Sequence, residues 1–293
     1  MKRDLMTMGP GLGDSAAAPI PGQVVELIAR GALFVVNHSG GKDSQAMYLL
    51  LRQHVPAAQL AIVHADLGPV EWAGAVAHIR STTAGEPLHI CRARRTLLQM
   101  IEERGMFPSP QQRQCTSDLK RGPIERTIRH VLAENRQFGG HIVNCMGMRA
   151  EESPNRAKLT SFKWVPYENA KGKPTGKSIR ARGKRPGREW FEWLPIHDWS
   201  EVQVFNAIAA AGQQPHPVYA LGMTRFSCCF CIMASEKDLR TAARLATTRP
   251  ELLNDPDLYR KYVGLEQSTG QVMLMPSKSS GRRTLEQVTG VAA

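Results

Sequence analysis

An α/β fold is predicted, a doubly wound and mainly parallel sheet followed by a cysteine-containing helical extension. Three features of the 293 residues carry that prediction. Short apolar, partly β-branched runs recur along the first half, helix-forming stretches with one apolar face alternate with them, and the first run leads directly into a glycine loop and a helix. Such alternation implies parallel pairing, because parallel neighbours need a long, usually helical, crossover between them.

In chain order, 23–30 (QVVELIAR) reads as a helix and 32–36 (ALFVV) as a buried strand. The loop 37–44 (NHSGGKDS) follows, then a helix over 45–54. A second strand, 60–64 (LAIVH), ends near Asp66 and has its helix over 71–80; a third, 88–91, is followed by a helix over 96–104. An amphipathic helix over 123–135 leads to a fourth strand at 141–146 (HIVNCM), and two more helices are expected at 237–249 and 250–264. The expected organisation is a flexible Pro- and Gly-rich tail over 1–22, an α/β domain over 23–225 with a basic insertion at 163–188, and a cysteine-rich helical extension over 226–293. Sheets of this kind bind ligands beyond the carboxyl ends of their strands, where His38 to Ser44, Asp66 and Gly147 to Arg149 would meet.

Hydrophobic residues make up 42% and charged ones 22%, as in ordinary folded proteins, and no apolar run of membrane-spanning length is present. The first residues lack the apolar centre of a secretory signal, and six cysteines in a chain this long do not resemble a secreted disulfide scaffold. A cytoplasmic protein with no membrane partner is expected. The net charge of +12 should attract polyanions, and the excess is concentrated: nine basic residues stand against one acidic residue between Lys163 and Arg188, among four glycines and three prolines. Two readings stand, a solvated mobile loop or an arm that tracks nucleic-acid phosphates. Trp164, Trp190, Phe191 and Trp193 flank the segment, placed either to stack on unpaired bases or to enter the core.

Gly40 and Gly41 remove Cβ atoms where strand turns into helix, so successive backbone N–H groups can converge on an anion. The helix N-terminus adds partial positive charge, Lys42 a whole one, and Ser39 and Ser44 hydroxyl donors. The loop is shaped for phosphate, but it is not a Walker A loop, since Asp43 follows the lysine. The hexapeptide Ser39-Gly40-Gly41-Lys42-Asp43-Ser44 resembles the PP-loop of the ATP pyrophosphatase and phosphoadenosine phosphosulfate (PAPS) reductase superfamily, whose fold is adenine nucleotide alpha hydrolase-like. Four further segments are similar to that family in order: 63–68 (VHADLG), 147–156 (GMRAEESPNR, a GxRxxESxxR pattern), 194–200 (LPIHDWS), and Pro217-Val218-Tyr219 leading to Gly222 and the cysteines. The resemblance implies that Ser39 to Ser44 hold the phosphates or sulfate of an adenine nucleotide, that Asp66 lies near its adenosine, and that Gly147, Arg149 and Arg156 face the anionic end. Lys42, Asp43 and Arg149 are the expected catalytic residues. Glu152 has three readings: it orients an arginine, holds Mg²⁺, or makes a surface salt bridge.

Cys115, Cys228, Cys229 and Cys231 are the candidate metal ligands. Their contexts resemble the Cys-Cys and Cys-x-x-Cys segments that hold a [4Fe–4S] cluster in iron–sulfur sulfonucleotide reductases. Thr116 replaces the second cysteine of the pair, so three ligands map directly and Cys229 offers a fourth thiolate. A structural zinc, or reduced thiols without metal, are the alternatives. Cys91 and Cys145, in or beside strands, read as small buried apolar residues. The reductases carry a nucleophilic cysteine near the C-terminus, and no cysteine follows Cys231. That departure favours an ATP-using modification enzyme, similar to the ATP pyrophosphatase component of DNA phosphorothioation systems or a tRNA thiolation enzyme, over a sulfonucleotide reductase or a non-catalytic nucleotide-binding module. The resemblance implies ATP and Mg²⁺, DNA or tRNA as the substrate partner, and a sulfur-donor protein such as a cysteine desulfurase.

Overall fold

The computed structural model describes residues 20–165, 188–276 and 281–293. The expected tail therefore lies outside the described residues up to position 19, as does the basic insertion over 166–187. Six strands make one sheet: β1 (Leu33–Asn37), β2 (Leu60–Ala65), β3 (Leu88–Cys91), β4 (His141–Met146), β5 (Phe162–Trp164) and β6 (Glu189–Trp193), in the order β3-β2-β1-β4-β6-β5. Every neighbouring pair is parallel except β5 with β6. The longer helices are α1 (Gly22–Ala29), α2 (Lys42–His54), α3 (Ala75–Thr82), α4 (Leu97–Arg104), α5 (Gly122–Glu134), α6 (Glu201–Ala210), α7 (Glu236–Thr248) and α8 (Leu258–Thr269), with a short α9 (Leu285–Thr289).

Alternate residues of each strand serve opposite faces of the sheet. Phe34, Val36, Ile62 and Val143 pack with Val24 and Leu27 of α1, Met47 and Leu51 of α2 and Val204 of α6. Leu33, Val35, Ala61 and Val63 pack on the other face against Ile128, Val131 and Leu132 of α5. Burial on both sides explains why the central strands read as continuous apolar runs. The C-terminal helices complete a third core, in which Leu239, Leu258 and Tyr262 join Trp72, Met100, Leu119 and Phe230. Backbone contacts fasten this part to the sheet: Trp72 and Leu253 form a bridge, Ala73 donates its N–H to the Leu252 carbonyl at 2.8 Å, and Cys229 to that of Val70 at 2.9 Å.

The four expected strands are present with their ends shifted by at most one residue, while β5 and β6 were not foreseen. Their sequences, FKW and EWFEW, intersperse charged with aromatic residues, as suits an edge with one wetter side. This also settles the place of the flanking aromatics. Trp193 is buried against Phe34, ring centroids 6.3 Å apart, and Phe191 stacks on Phe162 at 5.7 Å. Trp190 packs beside the α5 face. They are sheet and core residues. Because β5 runs antiparallel to β6, the chain leaves β5 after Trp164 and re-enters at Glu189, which pairs with His141 at the start of β4. Both anchors of the basic segment thus lie at the end of the sheet opposite the glycine loop.

Trp193→Ala should remove about 3–5 kcal/mol of stability, as for other buried aromatic truncations. Denaturant unfolding would show it as a lower midpoint, whereas a base-stacking Trp193 would leave the midpoint in place.

Candidate functional site

The site gathers where β1, β2 and β4 end. Asn37, the last residue of β1, donates from Nδ2 to Asn144 Oδ1 at 2.6 Å and to the Cys145 carbonyl at 2.8 Å, tying the ends of β1 and β4 together. The chain then turns through Gly40, at φ +87°, and enters α2 at Lys42. Two close approaches fix this turn. A Cβ on Gly41 would stand 2.7 Å from Phe226 Cβ and 3.1 Å from Tyr219 Oη, and a Cβ on Gly147 would stand 2.9 Å from the Asp43 carbonyl oxygen. Glycine at 41 therefore admits the segment 224–226 over the loop, and glycine at 147 lets the end of β4 touch the first turn of α2.

The loop is held closely from within. Gly40 donates its N–H to His38 Nδ1 (3.1 Å), Gly41 to Ser39 Oγ (3.4 Å), Lys42 to Tyr219 Oη (3.0 Å) and Ser39 to Ser44 Oγ (3.2 Å). An arriving phosphate would exchange these bonds, two of them at or beyond 3.2 Å, for charge-assisted ones of about twice the strength. His38 is buried, and burial, followed by the charges of His78 and His64, lowers its pKa to about 3. It stays neutral, and its Nδ1 is available as an acceptor. His64 donates from Nδ1 to the His38 carbonyl at 2.9 Å. Burial works against the charged form of His64, but the Glu71 carboxylate, 3.4 Å from Nε2, outweighs it and raises the pKa.

The sequence-predicted residues fall into two groups. Ser39 to Ser44, Gly147, Arg149, Glu152 and Arg156 come together at the glycine loop. Asp43 receives Arg149 Nε on Oδ1 at 2.6 Å and Lys42 Nζ on Oδ2 at 3.3 Å. Lys42 is not a free cation at the loop's tip: its ammonium is enclosed, bonded also to the Thr224 carbonyl at 3.2 Å and Glu201 at 3.2 Å, with the Tyr219 ring 5.1 Å away. Arg149 is buried, with Glu151 on its Nη1 and the Trp199 carbonyl at 3.3 Å. Glu152 accepts the Arg149 N–H at 3.0 Å and pairs with Arg156 and, at 3.7 Å, Arg225. The segment Leu194 to Ser200 braces this turn, since Ala150 donates to the His197 carbonyl at 2.7 Å and His197 Nε2 lies 3.0 Å from the Arg156 carbonyl.

Asp66 sits apart, past the end of β2. Its Oδ1 accepts the Gly68 N–H at 2.7 Å and its Oδ2 accepts Arg92 Nε at 2.8 Å. Burial would raise its pKa, but these two partners hold it below the ordinary value. Asp66, Gly68, Glu71, Ala75, Arg92 and Asn254 line a cavity of about 620 Å³. It adjoins the glycine loop through Ala75, whose Cβ would be 3.6 Å from a Cβ at position 40.

The cysteines are partly assembled. Cys115, Cys228 and Cys231 lie within electrostatic reach of Lys120, whose pKa they raise against the effect of burial. Burial first, then Cys231 and Cys115, push the Cys228 thiol up to about 12. Cys229 is buried beside Phe230 in the C-terminal core, and burial raises its pKa well above the ordinary thiol value. Among the described residues no three His, Cys, Asp or Glu side chains are grouped as a metal would need. The expected four-thiolate arrangement is not assembled among the described residues, and the offered fourth ligand, Cys229, is packed in the apolar core.

Sequence reasoning placed His38 at the ligand end of the sheet without giving it a role, and missed Glu201, Thr224, Arg225, Phe226 and the contact of Tyr219 with the loop. The histidine two residues before Gly40 was the one local signal. The others reach the loop through tertiary contacts only.

The profile of the phosphoadenosine phosphosulfate reductase domain matches residues 34–234, running from β1 past the last cysteine. The chain belongs to this family. It is a PAPS reductase-like, PP-loop nucleotide-binding protein, and the family takes its name from an enzyme. A 37.8 kDa protein in the gpa 5' region of Escherichia phage 186 is 26% identical over 191 residues, which is 65% of this chain and 50% of that protein. The chain thus spans about half the length of that curated relative. Among solved structures, the PAPS reductase of Candida auris in its phosphate complex gives a TM-score of 0.44 at 13% identity, covering 73% of this chain and 90% of that one. Candida glabrata FMN adenylyltransferase with FAD and pyrophosphate gives 0.38 at 10% identity, covering 68% and 54%. No helix among the described residues is long and apolar enough to cross a membrane.

His38→Asn keeps an acceptor for Gly40 and removes the titration. The unfolded imidazole takes up a proton near 6.5 and the folded one resists to about 3, so the unfolded chain binds more protons between these values. Stability therefore falls as pH drops through that window, by up to about 1.4 kcal/mol per unit. Between pH 6.5 and 4.5 the difference in unfolding free energy between the variant and the parent chain should change in the variant's favour; a constant difference would show that His38 is not held neutral.

Proposed function

We propose that the chain binds ATP with Mg²⁺ and cleaves it to AMP and pyrophosphate, adenylating a nucleic-acid oxyanion for subsequent sulfur transfer. The observation that carries this reading is the single network formed by the glycine loop, Asp43, Lys42 and Arg149 at the carboxyl ends of β1 and β4. Backbone N–H groups and guanidinium donors suit phosphate oxygens, while the Asp66 and Glu71 carboxylates of the adjoining cavity suit the amine and hydroxyl donors of a nucleoside. A nucleotide laid across the two would place its phosphates at the loop and its nucleoside in the cavity.

In the first step an acceptor oxygen attacks Pα, the bond from Pα to the bridging oxygen breaks, and pyrophosphate leaves with that electron pair. In the second, sulfur carried as a persulfide by a donor protein such as a cysteine desulfurase displaces AMP; two electrons from a thiol cleave its S–S bond. The chain's own contribution is electrostatic: Arg149 and Lys42 neutralise charge that builds on the phosphates. Mg²⁺ would be held mainly by the substrate's own phosphates, with the partly exposed Asp43 as a protein carboxylate that would exchange Lys42 for the ion, and it would supply charge neutralisation at the phosphates. No step is assigned to the cysteines.

The second reading is a sulfonucleotide reductase, which the family match favours. Residues 232–293 contain no thiol to attack sulfur, and the buried Cys228 is protonated at neutral pH.

Pyrophosphate release from ATP and Mg²⁺, measured with and without DNA or tRNA, decides between them. Release that depends on polymer and falls by about 10²-fold or more in Arg149→Gln is expected. Absence of release, with thiol-dependent consumption of PAPS or adenylyl sulfate, would replace the first reading by the second.

Loading tests the cysteines separately. Anaerobically purified chain should contain substoichiometric iron and zinc, and Cys229→Ser should leave that content unchanged. Stoichiometric metal that is lost in Cys229→Ser would overturn the assignment of Cys229 to the core.

A further inference from the structure

Arg149, Arg156 and Arg225 stand at the outer wall of the loop, and their carboxylates are unevenly shared. Arg149 is matched by Asp43 and Glu151. Among the described residues, Glu152 is the one carboxylate at ion-pair distance from Arg156 and Arg225, and Arg113 has none. Arg156 and Arg225 therefore share a single carboxylate. The like charges show in Arg156, whose pKa is lowered by burial first and then by Arg225, Arg113 and Arg149, with Asp43 opposing. The group is accessible: the side chains of Arg156 and Arg225 are 29% and 43% exposed, whereas Glu152 between them is 12% exposed. It is also next to the loop, because Arg225 precedes Phe226, the residue lying over Gly40 and Gly41.

We propose that Arg156 and Arg225 form a second anion subsite that Glu152 occupies until an oxyanion of the acceptor's phosphodiester backbone replaces it. Two guanidinium planes on one carboxylate can regrip a tetrahedral phosphate through paired hydrogen bonds, which an ammonium could not do. The position suits an acceptor rather than the nucleotide's own phosphates, since Arg149 and the loop N–H groups already provide for those on the inner side of Glu152. Nucleic acid as the acceptor class rests on the reading proposed above.

The test uses the full chain, ATP titration, and a labelled single-stranded oligodeoxynucleotide followed over a series of salt concentrations. Each lost phosphate contact should make the slope of log affinity against log salt shallower by about 0.7. Arg225→Gln is expected to weaken the oligonucleotide several-fold and remove one such increment, with ATP affinity unchanged. Glu152→Gln removes the competing charge and should tighten the oligonucleotide several-fold, a gain that misfolding cannot imitate. An unchanged slope in Arg225→Gln overturns the subsite. So does a fall in ATP affinity with oligonucleotide binding intact, which would return these arginines to the nucleotide. Failure of the parent chain to bind the oligonucleotide also overturns it, while pyrophosphate release from the same preparation reports separately on adenylation.

Discussion

The contact on which the rest of the site depends is the meeting of the end of β4 with the first turn of α2. Only a residue without Cβ can stand where Gly147 stands, because the Asp43 carbonyl would be 2.9 Å from that atom. This closeness brings Arg149, two residues later, onto the Asp43 carboxylate, and through Asp43 onto Lys42. Strand pairing supplies the alignment, since β1 and β4 are hydrogen-bonded neighbours in parallel register and end level with each other. A loop and a turn more than a hundred residues apart in sequence thereby become one charged surface. Its ion pairs are partly buried, so they are costly to break singly and hold the geometry more than they add stability.

A second dependence runs from the cysteine segment. Phe226 covers the glycines, its ring 4.7 Å from that of His216, and Thr224 holds Lys42 while its own N–H and hydroxyl are fixed by Asp238 of α7. Any rearrangement at Cys228 to Cys231 must pass through a stretch that touches the loop backbone. The C-terminal helices are thus part of the glycine loop's wall, packed in a common core with Leu67, Trp72, Met100 and Leu119.

Much of this was legible in the sequence for definite reasons. The central strands are buried on both faces, so they appear as unbroken apolar runs, and the glycine loop has a composition that few other structures require. The edge was not legible. Lys163 and Glu192 pair across β5 and β6 at 2.8 Å, and such interspersed charges look like loop when the partner strand is unknown. Lys42 shows the other limit. Its sequence position next to the glycines suggests a phosphate ligand, yet its direction is set by Glu201 and Thr224, which no local pattern connects to it. The cysteines illustrate the same point: spacing places Cys229 among possible ligands, and packing places it in the core.

The antiparallel turn of β5 sets a distance within the molecule. The basic segment is rooted at the start of β4 and β6, and the arginine group lies beyond their carboxyl ends, so the two are separated by the length of the strands, about 17 Å for five residues. Val165 and Arg188, the described residues that bound the basic segment, are therefore held a full strand length from Glu152, a spacing fixed by the sheet rather than by any side chain at either end.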